Sequence, residues 1–247
     1  MKAWTAAILA GTMALSGCAI LPEEIVTPGG AAPDASTAGQ ISHDAAARQF
    51  AEVVDTVEPV AEQVCRNLRK DAYCDFRIAI DTRRRQPANA FQTLDKDGNP
   101  VLIFTIALID DMRNPNELAF VMSHEASHHI LDHLAKQQEY AEAQARVYEQ
   151  AATQAGASRT GIRRASELGA ALGAHSYAKQ FELDADYLGA QIARAAGYDP
   201  LIGALYFDRL PDPSQEFLGT HPPNADRMAA VKAALGLGAC PKGLTLC

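Results

Sequence analysis

The chain has 247 residues, 22 of them basic and 30 acidic, for a formal net charge of −8. That acidic balance makes it a poor partner for nucleic acid, which we exclude. Apolar residues at 48% are enough to fill the core of a folded domain.

Residues 1–17 read as a signal peptide, with Lys2 as a short basic start and Ala3 to Leu15 almost wholly apolar. The run is too short to span a bilayer comfortably. Its end, Leu15-Ser16-Gly17-Cys18, resembles a bacterial lipoprotein signal, which implies cleavage before Cys18 and lipid on that residue. Several acyl chains on one residue hold a protein stably to a membrane. Ala19 in the next position resembles lipoproteins sent to the outer membrane, so the expected location is the cell envelope, facing the periplasm. Residues 18–40 carry four Pro or Gly between Pro28 and Pro33 and read as a flexible tether. Residues 41–247 then form one domain. Cleavage leaves 21 bases against 30 acids, net −9. Cys65, Cys74, Cys240 and Cys247 suggest two disulfides in an oxidising compartment. Three pairings are possible, and the local one is simplest.

Ser42 to about Lys70 reads as a helix capped by Ser42, with Phe50, Val53, Val57, Ala61 and Val64 in its apolar stripe. Pro59 inside it should kink or split it. Asp75 to Asp81 alternates like a strand. Asn89 to Leu94 and Val101 to Thr105 flank Asp95-Lys96-Asp97-Gly98-Asn99-Pro100, a hairpin signal. An edge strand placed there could receive an extended peptide through main-chain hydrogen bonds.

The next helix carries the chemistry. Asn114-Pro115-Asn116-Glu117 is a helix start, with Asn114 as N-cap, Pro115 at the first position and Glu117 closing a capping box. His124-Glu125-Ala126-Ser127-His128 follows. The two histidines are one turn apart on one face and can take two corners of a tetrahedral zinc site. Glu125, on the next face, can take a proton from a water that the metal activates. His129 and His133 lack an intervening Glu and read as solvated or supporting groups.

Gln137 to about Ala155 and a second run from near Gly161 past Tyr177 are Ala-rich helix formers, broken by glycines, and could cover the site. Phe181-Glu182-Leu183-Asp184-Ala185-Asp186 opens a helix that runs to about Ala196, with Gly197 as its stop. Glu182 and Asp186 share a face. Glu182 would be the third metal ligand, while Asp186 would orient a ligand histidine. Asp184 points elsewhere and is expected to be exposed. Thr220-His221-Pro222-Pro223 stiffens the approach to a helix near Asn224. Arg227 on that helix could pair with Asp186.

From Asn89-Ala90-Phe91 through His124-Glu125-x-x-His128, Glu182-x-x-x-Asp186, His221 and Arg227, the chain resembles the HtpX and CAAX-prenyl-protease family of zinc metallopeptidases. The resemblance spans about Asn89 to Ala233. It implies a gluzincin, with His124, His128 and Glu182 holding one zinc ion, Glu125 as catalytic base, and Asp186 and His221 assisting. The fold it implies is α+β and mainly helical, a zincin-like metallopeptidase domain with a small β-sheet next to the zinc helix. The substrates it implies are peptides or proteins, in particular unfolded or misassembled cell-envelope proteins, since the chain looks most like the small periplasmic lipoprotein members. The alternative is a chaperone-like assembly factor with a structural zinc.

Overall fold

The computed structural model describes residues 41–176, 178–210 and 222–247, and the backbone of Ile25–Val26. The signal segment, Cys18, most of the tether and His221 lie outside the described residues. No described helix is long and apolar enough to cross a membrane.

Ile25–Val26 forms a two-residue strand, β1. Helix α1 runs from His43 to Leu68, and the Ser42 side chain accepts from Ala45 N–H at its start. Phe50, Val53, Val57, Ala61 and Cys65 recur at helical spacing and are buried. Pro59 leaves α1 as one helix rather than two. The ring sits on the exposed face, where water can satisfy the carbonyl that proline deprives of a donor, while the buried stripe holds the axis together. Cys65 bonds to Cys74 and Cys240 to Cys247, the local pairing.

The sheet comprises β1, β2 (Arg77–Asp81), β3 (Ala90–Leu94) and β4 (Pro100–Thr105), in the order β1-β2-β4-β3. β2 and β4 are parallel, and β3 returns antiparallel to β4 across the turn at Asp97-Gly98. Gly98 has φ +85°, a conformation that only glycine adopts without strain. All six residues of β4 are buried, as befits a strand paired on both sides. Among the described residues β3 is therefore the free edge, beside the helices. One face of the sheet, with Ile78, Leu102 and Phe104, packs with α1 into the main core.

Helix α2 (Ile106–Asp111) leads to α3 (Pro115–Ile130). Asn114 caps α3 by accepting from Asn116 and Glu117 N–H. The capping box is displaced by one residue. Glu117 accepts from Arg113 N–H instead of Asn114 N–H, and Arg209 grips the same carboxylate. α3 is the central helix, with Leu118, Ala119, Phe120, Met122 and Ala126 all fully buried.

Helices α4 (His133–Gln154) and α5 (Arg159–Ser176) form a tight hairpin. Gly169 and Gly173 lie against the backbones of Gln144 and Tyr140, so closely that a Cβ would come within 2.5 Å and 2.2 Å of their carbonyl oxygens. The glycines expected to weaken this section instead let the two helices interlock. Helix α6 (Ala178–Ala195) starts three residues before Phe181 and ends ahead of Gly197, which has φ +91°. A short helix α7 (Pro200–Ala204), a 3-10 turn (Leu205–Arg209) and α8 (Asn224–Ala234) close the core behind α3, where Phe207 meets Phe120 edge to face.

Asp184 is a correction. It is buried, 4% exposed, and accepts from both Thr245 N–H and Thr245 Oγ1, each at 2.7 Å. The sequence distance of 61 residues between the partners hid this pairing.

Candidate metal centre and active-site cleft

α3 presents His124 and His128 on one face, and α6 crosses it with Glu182. Gly189 makes this crossing possible. A Cβ there would sit 3.0 Å from His124 N and 3.1 Å from His124 Cα, so α6 lies almost on the backbone of the ligand turn. His124 Nε2 is 3.0 Å from His128 Nε2. Glu182 Oε2 lies 3.6 Å from His124 Nε2, and Glu182 Oε1 lies 3.3 Å from His128 Nε2. Ligand atoms about 2.0–2.1 Å from a tetrahedral zinc stand about 3.3 Å from each other. The observed contacts scatter around that value, and one ligand atom from each residue lies within 4.8 Å of the other two, so the three residues could hold one metal ion.

The charges fit as well. Glu125, Glu182 and Asp186 surround His128 and Arg227, and Arg227 is the one guanidinium among them. That concentration of carboxylates suits a divalent cation. Burial lowers the His128 pKa, but hydrogen bonding and the field of Glu182, with Glu125 and Asp186, outweigh it and leave the pKa raised. The same field that holds a proton there would hold a metal.

Neighbouring groups hold these side chains. His128 Nδ1 lies 2.9 Å from His133 Nδ1, so one ring must donate to the other. Burial, then the neighbouring His128 and Lys136, push the His133 pKa down to about 2. His133 is thus neutral and can accept from His128 Nδ1–H, which leaves His128 Nε2 free for a metal. His133 stacks on Phe181, centroids 4.4 Å apart. Of the two readings, solvated or supporting, its burial and its contact with His128 leave the second, whereas His129 turns away to the Tyr73 carbonyl. Asp186 Oδ1 approaches His124 Nδ1 at 2.9 Å, though out of line for a well-directed hydrogen bond. Arg227 forks onto Asp186 through Nε and Nη2, both at 2.8 Å, and stacks over Phe207. That pairing was expected; Gly189 and the His128–His133 contact were not. Only spacing against a second helix could reveal them.

Glu125 lies beside the triangle on the wall of a cleft of about 430 Å³. Ala90, Phe91 and Gln92 of β3 line it, as do Phe181 of α6 and Tyr206 and Phe207 of the 3-10 turn. His133, Leu134 and Gln137 at the start of α4 also face it. Of the six expected site residues, the structure gathers five here, and His221 lies outside the described residues.

A cleft floored by two histidines of one helical turn and a glutamate from a crossing helix defines a metallopeptidase of the His-His-Glu kind. Residues 47–235 match Peptidase family M48, and the chain belongs to that family. This agrees with the HtpX-like resemblance and with the α+β, mainly helical fold. Comparison with curated proteins returns no match.

Proposed function

We propose that the chain is a zinc-dependent endopeptidase that hydrolyses unfolded or misassembled cell-envelope proteins. The observation that carries the metal reading is the cluster of His124, His128 and Glu182, with side-chain contacts of 3.0–3.6 Å, on the lining of the cleft. Zinc held there supplies a Lewis acid that polarises a carbonyl and lowers the pKa of water towards about 7. Glu125 takes the proton from the attacking water and delivers it to the leaving amine. Asp186, held by Arg227, steadies His124, and His133 steadies His128. His221, which precedes α8 in the sequence, would assist.

An extended substrate fits the edge of β3. Asn89 and Asp95 make main-chain bonds to Thr105 and Asn99 across the hairpin, so Phe91 and Thr93 share their inward orientation. Ala90 and Gln92 therefore turn their N–H and C=O groups away from β4. Pro100, which has no N–H, faces Leu94 in the same outward-turned set. Main-chain pairing reads no side chains, which suits an enzyme for unfolded proteins. The signal-like start supports a lipid anchor on Cys18 and a place on the outer membrane facing the periplasm.

The test is cleavage of casein and of an unfolded outer-membrane protein by purified soluble protein, with and without a zinc chelator. Chelator-sensitive cleavage restored by zinc is expected. Binding without cleavage in zinc would instead favour the assembly-factor reading.

A further inference from the structure

Between β2 and β3 the chain carries Arg83-Arg84-Arg85, three consecutive cations in an acidic protein. The structure shapes this run into a turn. Gln86 N–H donates to the Arg83 carbonyl at 3.1 Å, which places Arg84 and Arg85 at the two central positions. Both feet of the turn are fixed. Arg83 forks onto Asp81, with Nε 2.9 Å from Oδ1 and Nη2 2.6 Å from Oδ2. Asp81 is itself buried, 1% exposed. On the other side Thr105 Oγ1 donates to the Pro87 carbonyl at 3.0 Å and accepts from Asn89 N–H at 2.9 Å.

Arg83 is therefore spent on the fold, while Arg84 and Arg85 are exposed and pair with no carboxylate among the described residues. Their position gives them a use. Ala88 and Asn89 line the active-site cleft, and β3 begins at Ala90. The turn thus spans the ends of β2 and β4 and leads, through Ala88 and Asn89, to the start of the edge strand. A peptide extended along β3 and continuing past Asn89 advances about 3.3 Å per residue. A few residues on, it passes the end of the sheet that carries these two exposed guanidiniums, whose planar forks match carboxylates.

We propose that Arg84 and Arg85 select substrates with acidic side chains on the flank that lies over the Asn89 end of β3. This rests on the edge-strand reading above. It gives the cleft a charge preference in addition to its sequence-blind main-chain pairing.

The test uses fluorogenic peptides that share one core and carry Glu-Glu, Gln-Gln or Lys-Lys about four residues to either side of the scissile bond. Two exposed ion pairs should favour Glu-Glu over Gln-Gln by about five-fold in kcat/KM, through KM, on one flank only. The ratio should shrink in high salt. It should fall to near one in Arg84→Gln/Arg85→Gln and reverse towards Lys-Lys in Arg84→Glu/Arg85→Glu. Equal kcat/KM for all three peptides, or a preference that survives the Gln variant, overturns the proposal. Anisotropy of the same labelled peptides on Glu125→Gln measures the preference without turnover. Absence of cleavage would therefore refute the peptidase reading, while the binding order would still decide this one.

Discussion

Replacing Arg227 by Met tests the charge economy of the metal centre. Arg227 is 5% exposed, forks onto Asp186 at 2.8 Å twice, and lies 3.5 Å from Glu182. Methionine retains much of the volume over Phe207 but leaves three carboxylates with no guanidinium. Breaking a buried pair by removing one partner costs about 3–5 kcal/mol. In a domain of this size 1 kcal/mol is about 2–4 °C, so the metal-free variant should melt about 10 °C lower. A divalent ion compensates the same carboxylates, so zinc should narrow the gap between variant and parent. Asp186→Asn/Arg227→Met, which removes both charges, should lose less than the two single losses added together. The assay is thermal unfolding followed by circular dichroism, with chelator and with saturating zinc. An equal deficit in both conditions, or strict additivity in the double variant, would refute the charge argument.

Wild-type protein should hold about one zinc per chain, and His124→Ala, His128→Ala and Glu182→Ala should each lose it; elemental analysis after gel filtration decides. Glu125→Gln should retain the zinc yet cleave about 10²–10⁴-fold more slowly, and wild-type turnover would remove Glu125 from the chemistry. Gly189→Ala puts a methyl 3.0 Å from His124 N and should prise Glu182 from the histidines. Competition with a chromophoric chelator should show weaker zinc binding, and unchanged affinity would contradict the close crossing. Thr245→Val removes one of two donors to the buried Asp184 and should cost about 1–3 kcal/mol in urea unfolding, with Thr245→Ser close to wild type.

Local chemistry made much of this protein legible in its sequence. Asn114 and Pro115 start α3, and helical periodicity alone puts His124 and His128 on one face. The Asp97-Gly98 turn dictates the β3–β4 hairpin. The short spacing of Cys65 with Cys74 made the local disulfide the simplest choice. The pairing of Glu182 with the histidines was legible only as a motif, because nothing local says where α6 lies.

The tertiary structure decided everything that depends on how close two helices come. Gly189 looks like any helical glycine until His124 is found against it. Gly169 and Gly173 look like weak points until Tyr140 and Gln144 occupy the space their missing side chains leave. Asp184 reads as a solvated charge between two functional acids until the far end of the chain folds back to donate to it. His133 reads as either solvated or supporting until Phe181 stacks on it and its ring meets His128. In each case a sequence carries residue type and spacing along one element. The distance to a second element is set by packing, where the burial of many apolar side chains outweighs any one local preference.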